Sequence, residues 1–341
     1  MAYQVKVVET GAVFQVEPEE KLLEAATRQG VRIYSECEFG GCGTCRIKVT
    51  EGAVQYEDDF LPMSLSDEEH VEGFAAACQA LVTQDISISI ANHLDVLPEP
   101  KTLPLQVESL STPSQGVYEL HLRSDALLDS QYWPGQYLNI LLADGERARS
   151  FSMASATAKD GIIRLFIRDI EGGHFTQQVL PTLQKGQELQ VELPLGNFYY
   201  RKRDWRPVIL LATGTGIAPV RAIIESLIAD EDRPPLHLYW GVRKEADLHL
   251  MQELKTWVEH FPDFEFTPVL SNADADWTGR TGYVQDAAYE DYDDLSEYAF
   301  YMCGAPAMIQ DAQSKLKDRG ANSDYMYSDA FTFQHDLMES N

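Results

Sequence analysis

The chain has 341 residues, of which 54 are Asp or Glu and 27 are Lys or Arg, so its formal charge is −27. This length predicts two or three domains of roughly 100 to 200 residues each. The acidic balance argues against binding to nucleic acids or anionic membrane surfaces, because both require an excess of Lys and Arg. No apolar run approaches the roughly 18 residues of a membrane-spanning helix, and no signal peptide is apparent at the amino terminus. We therefore expect a soluble, cytoplasmic, multidomain protein.

The beginning of the chain shows the pattern of a small β-grasp domain. Apolar and polar residues alternate over residues 3–8 and 12–17, which predicts a β-hairpin. Residues 19–30 carry paired apolar positions and end at Gly30, which predicts a short helix with glycine as its stop signal. Further strands are predicted at residues 45–50 and 86–90.

Four of the five cysteines lie in the first quarter of the chain. They are Cys37, Cys42, Cys45 and Cys78, and the fifth is Cys303. The four are spaced C-x4-C-x2-C, with the last cysteine after 32 intervening residues. Without a secretory signal, clustered cysteines indicate metal or redox ligands rather than disulfides. Gly40, Gly41 and Gly43 permit the tight turns and sulfur-directed amides that converging thiolates need. Zinc and unligated thiols remain alternatives, although structural zinc sites usually pair two cysteine knuckles.

This cysteine spacing resembles that of the plant-type [2Fe–2S] ferredoxins. The resemblance extends over residues 1–92, through SECEFGGCGTCR and the later AACQA. It implies a [2Fe–2S] cluster with Cys37, Cys42, Cys45 and Cys78 as its ligands.

A proline-bearing stretch follows at residues 91–105. Because Pro98, Pro100 and Pro104 stiffen the backbone, the stretch is predicted to be a short spacer between domains rather than a floppy tether.

From residue 105 to about residue 200, strand-like runs follow one another closely. Short strands at this spacing predict an antiparallel barrel. Arg149 begins the segment Arg-Ser-Phe-Ser in this region, and Gly172 and Gly173 precede a short predicted helix that contains Thr176. A fixed arginine suits a pyrophosphate, and a glycine-rich turn at a helix start presents amides to phosphate oxygens. Each signal is weak alone, because a strand arginine is more often a solvated surface residue.

Together these signals resemble the flavin domain of the ferredoxin–NADP⁺ reductase superfamily, and WPGQYLNI at residues 133–140 fits the same pattern. The resemblance implies FAD binding by Arg149, Ser150, Phe151, Ser152, Gly172, Gly173 and Thr176. Arg149 would pair with the pyrophosphate, and Ser152 would lie near the central reactive nitrogen of the flavin. Phe151 replaces the tyrosine of the family, which keeps an aromatic wall but removes a hydroxyl.

The last third of the chain, from about residue 206, alternates buried strands with helices, which predicts a parallel sheet with ligands at the carboxyl ends of its strands. The first strand leads into Thr213-Gly214-Thr215-Gly216, which differs from the usual G-x-G-x-x-G fingerprint. An ordinary turn without a ligand is therefore an alternative at this point.

The segment from Thr213 to Pro219 resembles the family's G-G-T-G-[IL]-A-P, with Thr213 in place of the first glycine. That side chain would lie near the pyrophosphate. The resemblance implies that the nicotinamide nucleotide, the flavin ring or both are contacted by Gly214, Thr215, Gly216, Pro219, Gly241, Arg243, Cys303, Gly304 and Phe331. Ser152, Cys303 and Phe331 would lie closest to the path of the hydride. The alternative for Cys303 is a small buried core residue.

Taken together, residues 3–333 resemble the iron–sulfur flavoprotein reductases that supply electrons to oxygenases. The resemblance implies an α+β and α/β multidomain fold: a β-grasp ferredoxin domain at 1–95, an antiparallel FAD-binding barrel at 103–202 and a parallel-sheet NAD(P)H-binding α/β domain at 206–334. The implied function is hydride transfer from NADH to FAD, then single-electron transfer through the cluster to a Rieske dioxygenase, a di-iron monooxygenase or an intermediary ferredoxin. Such reductases are commonly monomers.

Three other functions remain open. They are a free-standing NADH-dependent flavin or acceptor reductase, the reductase of a deoxysugar biosynthetic dehydratase, and a redox sensor. The segment VRKEADL at residues 242–248 offers both basic and acidic side chains to a ribose, so the preference for NADH over NADPH rests on the resemblance.

The ferredoxin-like part is the more acidic, because residues 1–100 hold 18 acidic and 6 basic side chains. These acids form either a solvated face or a surface that steers docking on a basic partner. The residues proposed for steering are Glu36, Glu38, Asp58, Asp59, Asp67, Glu68 and Glu69.

Overall fold

A computed structural model of the chain describes residues 2–35, 37–41, 43–57, 60–128, 131–142, 148–158 and 160–331. The chain divides into two compact units, Leu97–Ser328 and Met1–Val96, and the second of these also takes in the segment that begins at Asp329. In these described ranges, no helix is long and apolar enough to cross a membrane.

The Met1–Val96 unit is a five-stranded mixed sheet with two short helices and a separate two-stranded sheet. Its strands are β1 (Tyr3–Val7), β2 (Val13–Val16), β3 (Arg46–Glu51), β4 (Val54–Gln55), β5 (Phe74–Ala76), β6 (Leu81–Val82) and β7 (Ile86–Ser89), and its helices are α1 (Leu22–Arg28) and α2 (Asp67–Val71). The main sheet has the order β2-β1-β7-β3-β5, with β4 and β6 paired apart from it. The predicted hairpin, helix and β-grasp arrangement are confirmed. Gly30 follows α1 with a φ of +76°, as a helix stop requires.

The first half of the Leu97–Ser328 unit is an antiparallel barrel. Its strands are β8 (Lys101–Ser114), β9 (Val117–Arg123), β10 (Tyr137–Leu141), β11 (Ala148–Ser152), β12 (Ile162–Arg168) and β13 (Glu188–Leu195). They lie in the order β11-β10-β13-β8-β9-β12. A bridge between Met153 and Leu165 joins the two ends of this sheet, and the amide of Ala154 donates to the carbonyl oxygen of Arg164 at 2.8 Å. The predicted barrel is therefore confirmed.

The predicted linker at 91–105 is wrong over its last five residues, because β8 already begins at Lys101. Pro104 lies inside that strand, opposite Gln190 of β13. Pairing of β8 with β9 starts only at Gln106, so the proline has a strand partner on one side. A sheet tolerates a proline at such a position, because no ladder bond on the open side is lost.

The second half of this unit is a six-stranded sheet flanked by helices. Its strands are β14 (Val208–Thr213), β15 (Leu236–Val242), β16 (Phe264–Leu270), β17 (Arg280–Thr281), β18 (Ala299–Gly304) and β19 (Met326–Ala330), and its helices are α3 (Ile217–Ile228), α4 (Met251–His260), α5 (Val284–Asp291) and α6 (Pro306–Asp318). The order is β17-β16-β15-β14-β18-β19. The pairs from β17 to β18 are parallel, as predicted. The central strand β14 is fully buried up to Ala212, so its carboxyl end emerges at the middle of one sheet edge.

Candidate functional site

Three of the four predicted cluster ligands lie among the described residues. The amide of Gly41 donates to Cys37 Sγ at 3.3 Å, which is the sulfur-directed bond that the glycine-rich loop predicts. A hydrogen bond from Cys45 lowers the pKa of Cys78, although burial opposes the shift. A lowered thiol pKa favours the thiolate, which is the form that binds iron.

This donor chemistry fits a [2Fe–2S] cluster. Cys42 lies outside the described residues, and the residues that are described contain no group of three or more His, Cys, Asp or Glu side chains that would hold a metal ion. The complete set of four ligands therefore stays a prediction.

The glycines of this loop give room to neighbouring side chains. A Cβ on Gly40 would lie 2.7 Å from Cβ of Pro62, and one on Gly41 would overlap the ring of Phe39. The amide of Ser64 also donates to the carbonyl oxygen of Gly40 at 3.0 Å. The loop is thus held by the segment that precedes α2.

The acidic residues proposed for steering do not share one environment. Glu38, Asp67 and Glu68 are exposed, as a docking surface requires. Glu69 is buried, and the prediction is wrong for it: its carboxylate accepts from Arg46 at 2.8 Å and caps α2 together with Ser66. A buried carboxylate needs such a partner, so Glu69 serves the fold. Glu36, Asp58 and Asp59 lie outside the described residues.

The predicted flavin segment is strand β11, which lies against β10. Ser150 Oγ donates to Asn139 Oδ1 at 2.7 Å, and Arg149 Nη1 donates to the carbonyl oxygen of Ala148 at 2.8 Å. Ser152 is buried at the end of the strand. The ring of Phe151 packs against Phe175, with 5.4 Å between ring centroids. The aromatic side chain that lacks the family's hydroxyl therefore joins β11 to the turn at residues 172–176.

The WPGQ turn fixes the backbone beside Ser152. Gln136 is buried, and its side chain donates to the carbonyl oxygen of Gly196 at 2.9 Å while accepting from the amide of Trp133 at 2.7 Å. Its own carbonyl oxygen accepts the amide of Met153 at 3.1 Å. The motif matched in the sequence thus has a positioning role that the residue types alone did not reveal.

The glycine turn at residues 172–173 differs from the prediction in one respect. The amide of Gly173 donates to Ile170 O at 2.8 Å, and that of Gly172 donates to Gln177 Oε1 at 3.1 Å, so these two amides are not free for phosphate. The hydroxyl of Thr176 is likewise hydrogen-bonded to the backbone of Ile170. The glycines shape the turn, and the π-helix His174–Val179 follows it, with the amide of Gln177 donating to the carbonyl oxygen of Gly173 at 3.0 Å.

The predicted nucleotide turn lies at the middle of the parallel sheet edge. Gly214–Gly216 connects β14 to α3, and the indole nitrogen of Trp240 donates to the carbonyl oxygen of Gly214 at 3.0 Å. A Cβ on Gly216 would overlap the carbonyl oxygen of Cys303. The structure therefore brings the turn into direct backbone contact with the Cys303-Gly304 segment.

Thr213 contacts two glycines at the ends of the neighbouring strands, and its proximity to a pyrophosphate stays a prediction. Its hydroxyl fills the space that a Cβ on Gly304 would need, and its methyl group lies 3.3 Å from the Cβ position of Gly241. The half-buried side chain of Thr213 therefore packs between the ends of β15 and β18. Gly241 and Gly304 are the residues that make room for it. Cys303 is fully buried beside them, and Pro219 is buried in the first turn of α3.

The segment after β15 carries the charges expected to read the ribose. Arg243 is exposed, while Lys244 Nζ donates to Asp274 at 2.9 Å and its backbone amide donates to Asp247 at 3.0 Å. Phe331 follows β19 at the end of the described chain, in the segment that groups with Met1–Val96. Its position beside a flavin stays a prediction.

Three domain families match the chain in order. Residues 5–83 match the 2Fe-2S iron-sulfur cluster binding domain, residues 104–200 the oxidoreductase FAD-binding domain and residues 210–314 the oxidoreductase NAD-binding domain. These matches cover the cysteine loop, strand β11 and the nucleotide turn described above.

Two similar proteins and one solved structure align over nearly the full length. The CDP-6-deoxy-L-threo-D-glycero-4-hexulose-3-dehydrase reductase of Yersinia pseudotuberculosis is 31% identical over 97% of this chain and 99% of that protein. The anthranilate 1,2-dioxygenase electron transfer component of Acinetobacter baylyi is 30% identical over 93% of this chain and 92% of that protein. The crystal structure of the Amycolatopsis cytochrome P450 reductase GcoB superposes with a TM-score of 0.72 at 29% identity, covering 97% of this chain and 99% of that one.

Proposed function

This chain belongs to the iron–sulfur flavoprotein reductases, and we propose that it takes hydride from NADH and delivers single electrons to an oxygenase of the Rieske or di-iron type. The observation that carries the proposal is the order of three cofactor-binding domains along a chain that aligns over 93% of its length with a dioxygenase electron transfer component. FAD exchanges electrons in pairs or singly, and a [2Fe–2S] cluster carries one electron at a time.

We infer that β11 holds FAD, with Arg149 toward the pyrophosphate and Ser152 toward the ring. Ser152 lies one residue before Met153, whose amide is bonded to Gln136 and whose backbone bridges to Leu165. A hydroxyl on a backbone fixed in this way stays at one position, which is what orienting a reacting ring requires.

We infer that the edge formed by Gly214–Gly216 and Cys303-Gly304 holds the nicotinamide nucleotide. The close approach of Gly216 to the Cys303 carbonyl supports a single continuous surface for the pyrophosphate and the nicotinamide. A hydride carries its own electrons, so no side chain at this edge needs to act as a general base.

The preference for NADH is proposed from the charges after β15. Lys244 is neutralised by Asp274, and the nearby carboxylates of Glu245 and Asp247 suit a ribose diol better than a 2′-phosphate. The test is the ratio of the kcat/KM values for NADH and NADPH with ferricyanide as acceptor. We expect NADH to be preferred by about tenfold or more, or about 1.4 kcal/mol. A preference for NADPH would contradict the proposal and assign Arg243 to a phosphate.

Docking on a basic partner is proposed for the exposed acids Glu38, Asp67 and Glu68. Such steering raises association rates at low ionic strength and fades as salt rises. With cytochrome c as a basic one-electron acceptor, we expect Asp67→Asn combined with Glu68→Gln to flatten the dependence of the reduction rate on salt. The matched control is Glu259→Gln, an exposed acid on α4. An unchanged salt dependence in the double variant would remove this surface from the proposal.

A second candidate is the reductase of a deoxysugar dehydratase, which the Yersinia relative supports. The two candidate functions are distinguished by mixing the reduced protein with a purified ring-hydroxylating oxygenase or with a CDP-hexulose dehydratase. NADH consumption that depends on the organic substrate of one and not of the other identifies the partner. A free-standing flavin reductase would consume NADH equally with free flavin alone.

A further inference from the structure

Arg221 is a charged side chain on the buried face of an apolar helix. It lies on α3, five residues after Gly216, and is only 5% exposed. Its Nη1 donates to the carbonyl oxygen of Ala154, and its Nε and Nη2 both donate to Glu253, with Nε at 3.1 Å. Glu225, one turn further along the same helix, accepts from Nη1 and Nη2 at 3.1 and 3.2 Å. All three nitrogen atoms of the guanidinium therefore donate hydrogen bonds.

The same carboxylates also bind the barrel. Glu225 Oε2 accepts the amide of Ala156 at 2.7 Å, so α3 holds the backbone of residues 154–156 at two points. Glu253 accepts from Arg164 of β12 at 3.3 Å, and Arg164 also donates to Glu119 of β9. Arg221 therefore lies at the centre of a network that joins α3 and α4 to the barrel wall.

Stability alone is a poor reason for this network. The cost of desolvating several charges offsets most of their attraction, so an apolar contact of similar size would stabilise the interface as well. What an arginine adds is direction, because the N–H donors of its planar guanidinium point in fixed directions. Ile223 and Ile224 on the same helix show that apolar residues pack fully in this layer.

Both ends of the network adjoin the segments proposed to hold the two redox partners. Helix α3 begins directly after the Gly214–Gly216 turn, and Ala154 follows Ser152 by two residues. Hydride transfer requires donor and acceptor atoms in line, and a misplacement of about 1 Å costs about 100-fold in rate. We propose that Arg221 is a positioning residue that sets the register between the flavin strand and the nucleotide helix. This inference rests on the proposed function.

The test compares Arg221→Lys with wild type in anaerobic stopped-flow reduction by NADH. Lysine keeps the charge but cannot bond Ala154, Glu225 and Glu253 together. We expect the limiting rate of flavin reduction to fall by about 10- to 100-fold. The concentration of NADH that gives half this rate, and the FAD bound per chain, should stay within about twofold, because no nucleotide-binding residue has changed.

Arg233→Lys is the matched control. Arg233 is also part-buried, donates to a carbonyl oxygen at 3.1 Å and pairs with Asp263 at 2.7 Å, but both partners lie in the parallel-sheet half of the unit. The control should lose similar thermal stability while reducing its flavin at the wild-type rate.

A second readout needs neither cofactor. In the protein stripped of FAD, Arg221→Lys should speed amide exchange at residues 154–156, where the amide of Ala156 is bonded to Glu225. Arg233→Lys should leave that exchange unchanged. The inference is overturned when the wild-type flavin is reduced and Arg221→Lys is reduced equally fast, or when both lysine variants slow reduction alike. The proposed function, by contrast, fails when neither NADH nor NADPH reduces the wild-type flavin.

Discussion

Two glycine-rich turns in this chain meet different neighbours. In the cysteine loop, the atoms nearest to a Cβ on Gly41 belong to the ring of Phe39, a side chain that can rotate away. In the nucleotide turn, a Cβ on Gly216 would meet the backbone of Cys303 and Gly304, which cannot move without distorting β18. In the cysteine loop the glycines free an amide for sulfur. In the nucleotide turn they let two parts of the chain touch.

A glycine-rich pattern in a sequence therefore does not show which physical constraint requires the glycines. Both turns follow the same rule that glycine appears where the backbone must be approached closely. Gly41 and Gly216 lie outside the left-handed region of φ, so at these two positions the neighbours determine how strictly glycine is required. The comparison therefore predicts unequal costs for equal substitutions, from the rigid sheet edge to the adaptable cysteine loop.

The largest effect is expected for Gly216→Ala. Overlap with the Cys303 carbonyl forces apart β18 and the turn, which should lower the free energy of unfolding by about 3 kcal/mol. Because the turn is the proposed nucleotide site, the free energy of NADH binding should weaken by at least as much. Urea denaturation and NADH titration measure the two effects. Gly186→Ala is the control, because its φ is +83° but the space around it is open. A Gly216→Ala protein as stable as that control would show that the contact is adjustable.

Lowering the pH should destabilise the parallel sheet, because it contains the buried His237. Burial lowers the pKa of His237 to about 4 from 6.5, against a smaller opposing effect of Glu265. The unfolded chain therefore binds the proton first, and the stabilisation present near neutral pH is lost as pH falls from 6.5 toward 4. By pH 4.5 the free energy of unfolding is expected to be lower by about 2 kcal/mol than near neutral pH.

His237→Gln isolates this contribution. The amide side chain can replace the hydrogen bonds to Tyr292 and Thr267 without titrating. Its unfolding free energy should depend less on pH than that of wild type over this window. Parallel curves for His237→Gln and wild type would mean that His237 does not titrate as described.

Thr213 and Gly304 offer an intermediate test. The Thr213 hydroxyl fills the space of a Cβ on Gly304, so Gly304→Ala should lose stability through overlap and through its φ of +148°. Combining it with Thr213→Gly should remove the overlap and leave the backbone strain. A double-mutant cycle should give a favourable coupling of about 1 to 2 kcal/mol. Purely additive effects would place the Thr213 side chain elsewhere.

The smallest effect is expected for Gly41→Ala. The ring of Phe39 can turn into solvent, because it is already partly exposed, so the loss should stay below about 1 kcal/mol. The visible spectrum of the cluster and its electron paramagnetic resonance signal report on the loop directly. A loss of the cluster in this variant, as large as in Cys42→Ser, would reverse the ranking of the two turns.

Much of the fold follows from local patterns, and the sequence analysis predicts it. Apolar patterning identified β1, β2, β3 and β7 of the ferredoxin-like unit and most of the barrel strands, and Gly30 marked the end of α1, whereas the short strands β4, β5 and β6 were not predicted. Helix α5 and the short strand β17 were not predicted, because they carry weak apolar periodicity and depend on packing against β15 and β16. Pro104 was interpreted as part of a linker, because the sequence does not show that this proline lies in a strand that is paired on one side only.

The candidate site likewise has features that local sequence patterns predict and features that they do not. The motifs identified β11 and the nucleotide turn, because those residues are contiguous in the chain. The burial of Glu69 and the positions of Thr213 and Arg221 depend on residues distant in sequence. A readable signal existed for Arg221: a lone arginine four residues before Glu225, within the otherwise apolar run IAPVRAIIESLIA, requires a buried partner.

The most direct test of the whole account is an anaerobic titration of the purified protein with NADH, followed in the visible spectrum. We expect flavin bleaching to be accompanied by loss of the iron–sulfur absorbance in the wild type, and we expect Cys42→Ser to show the flavin bleaching without the loss of iron–sulfur absorbance. Flavin bleaching in the wild type without any cluster reduction would contradict the transfer of electrons through the cluster.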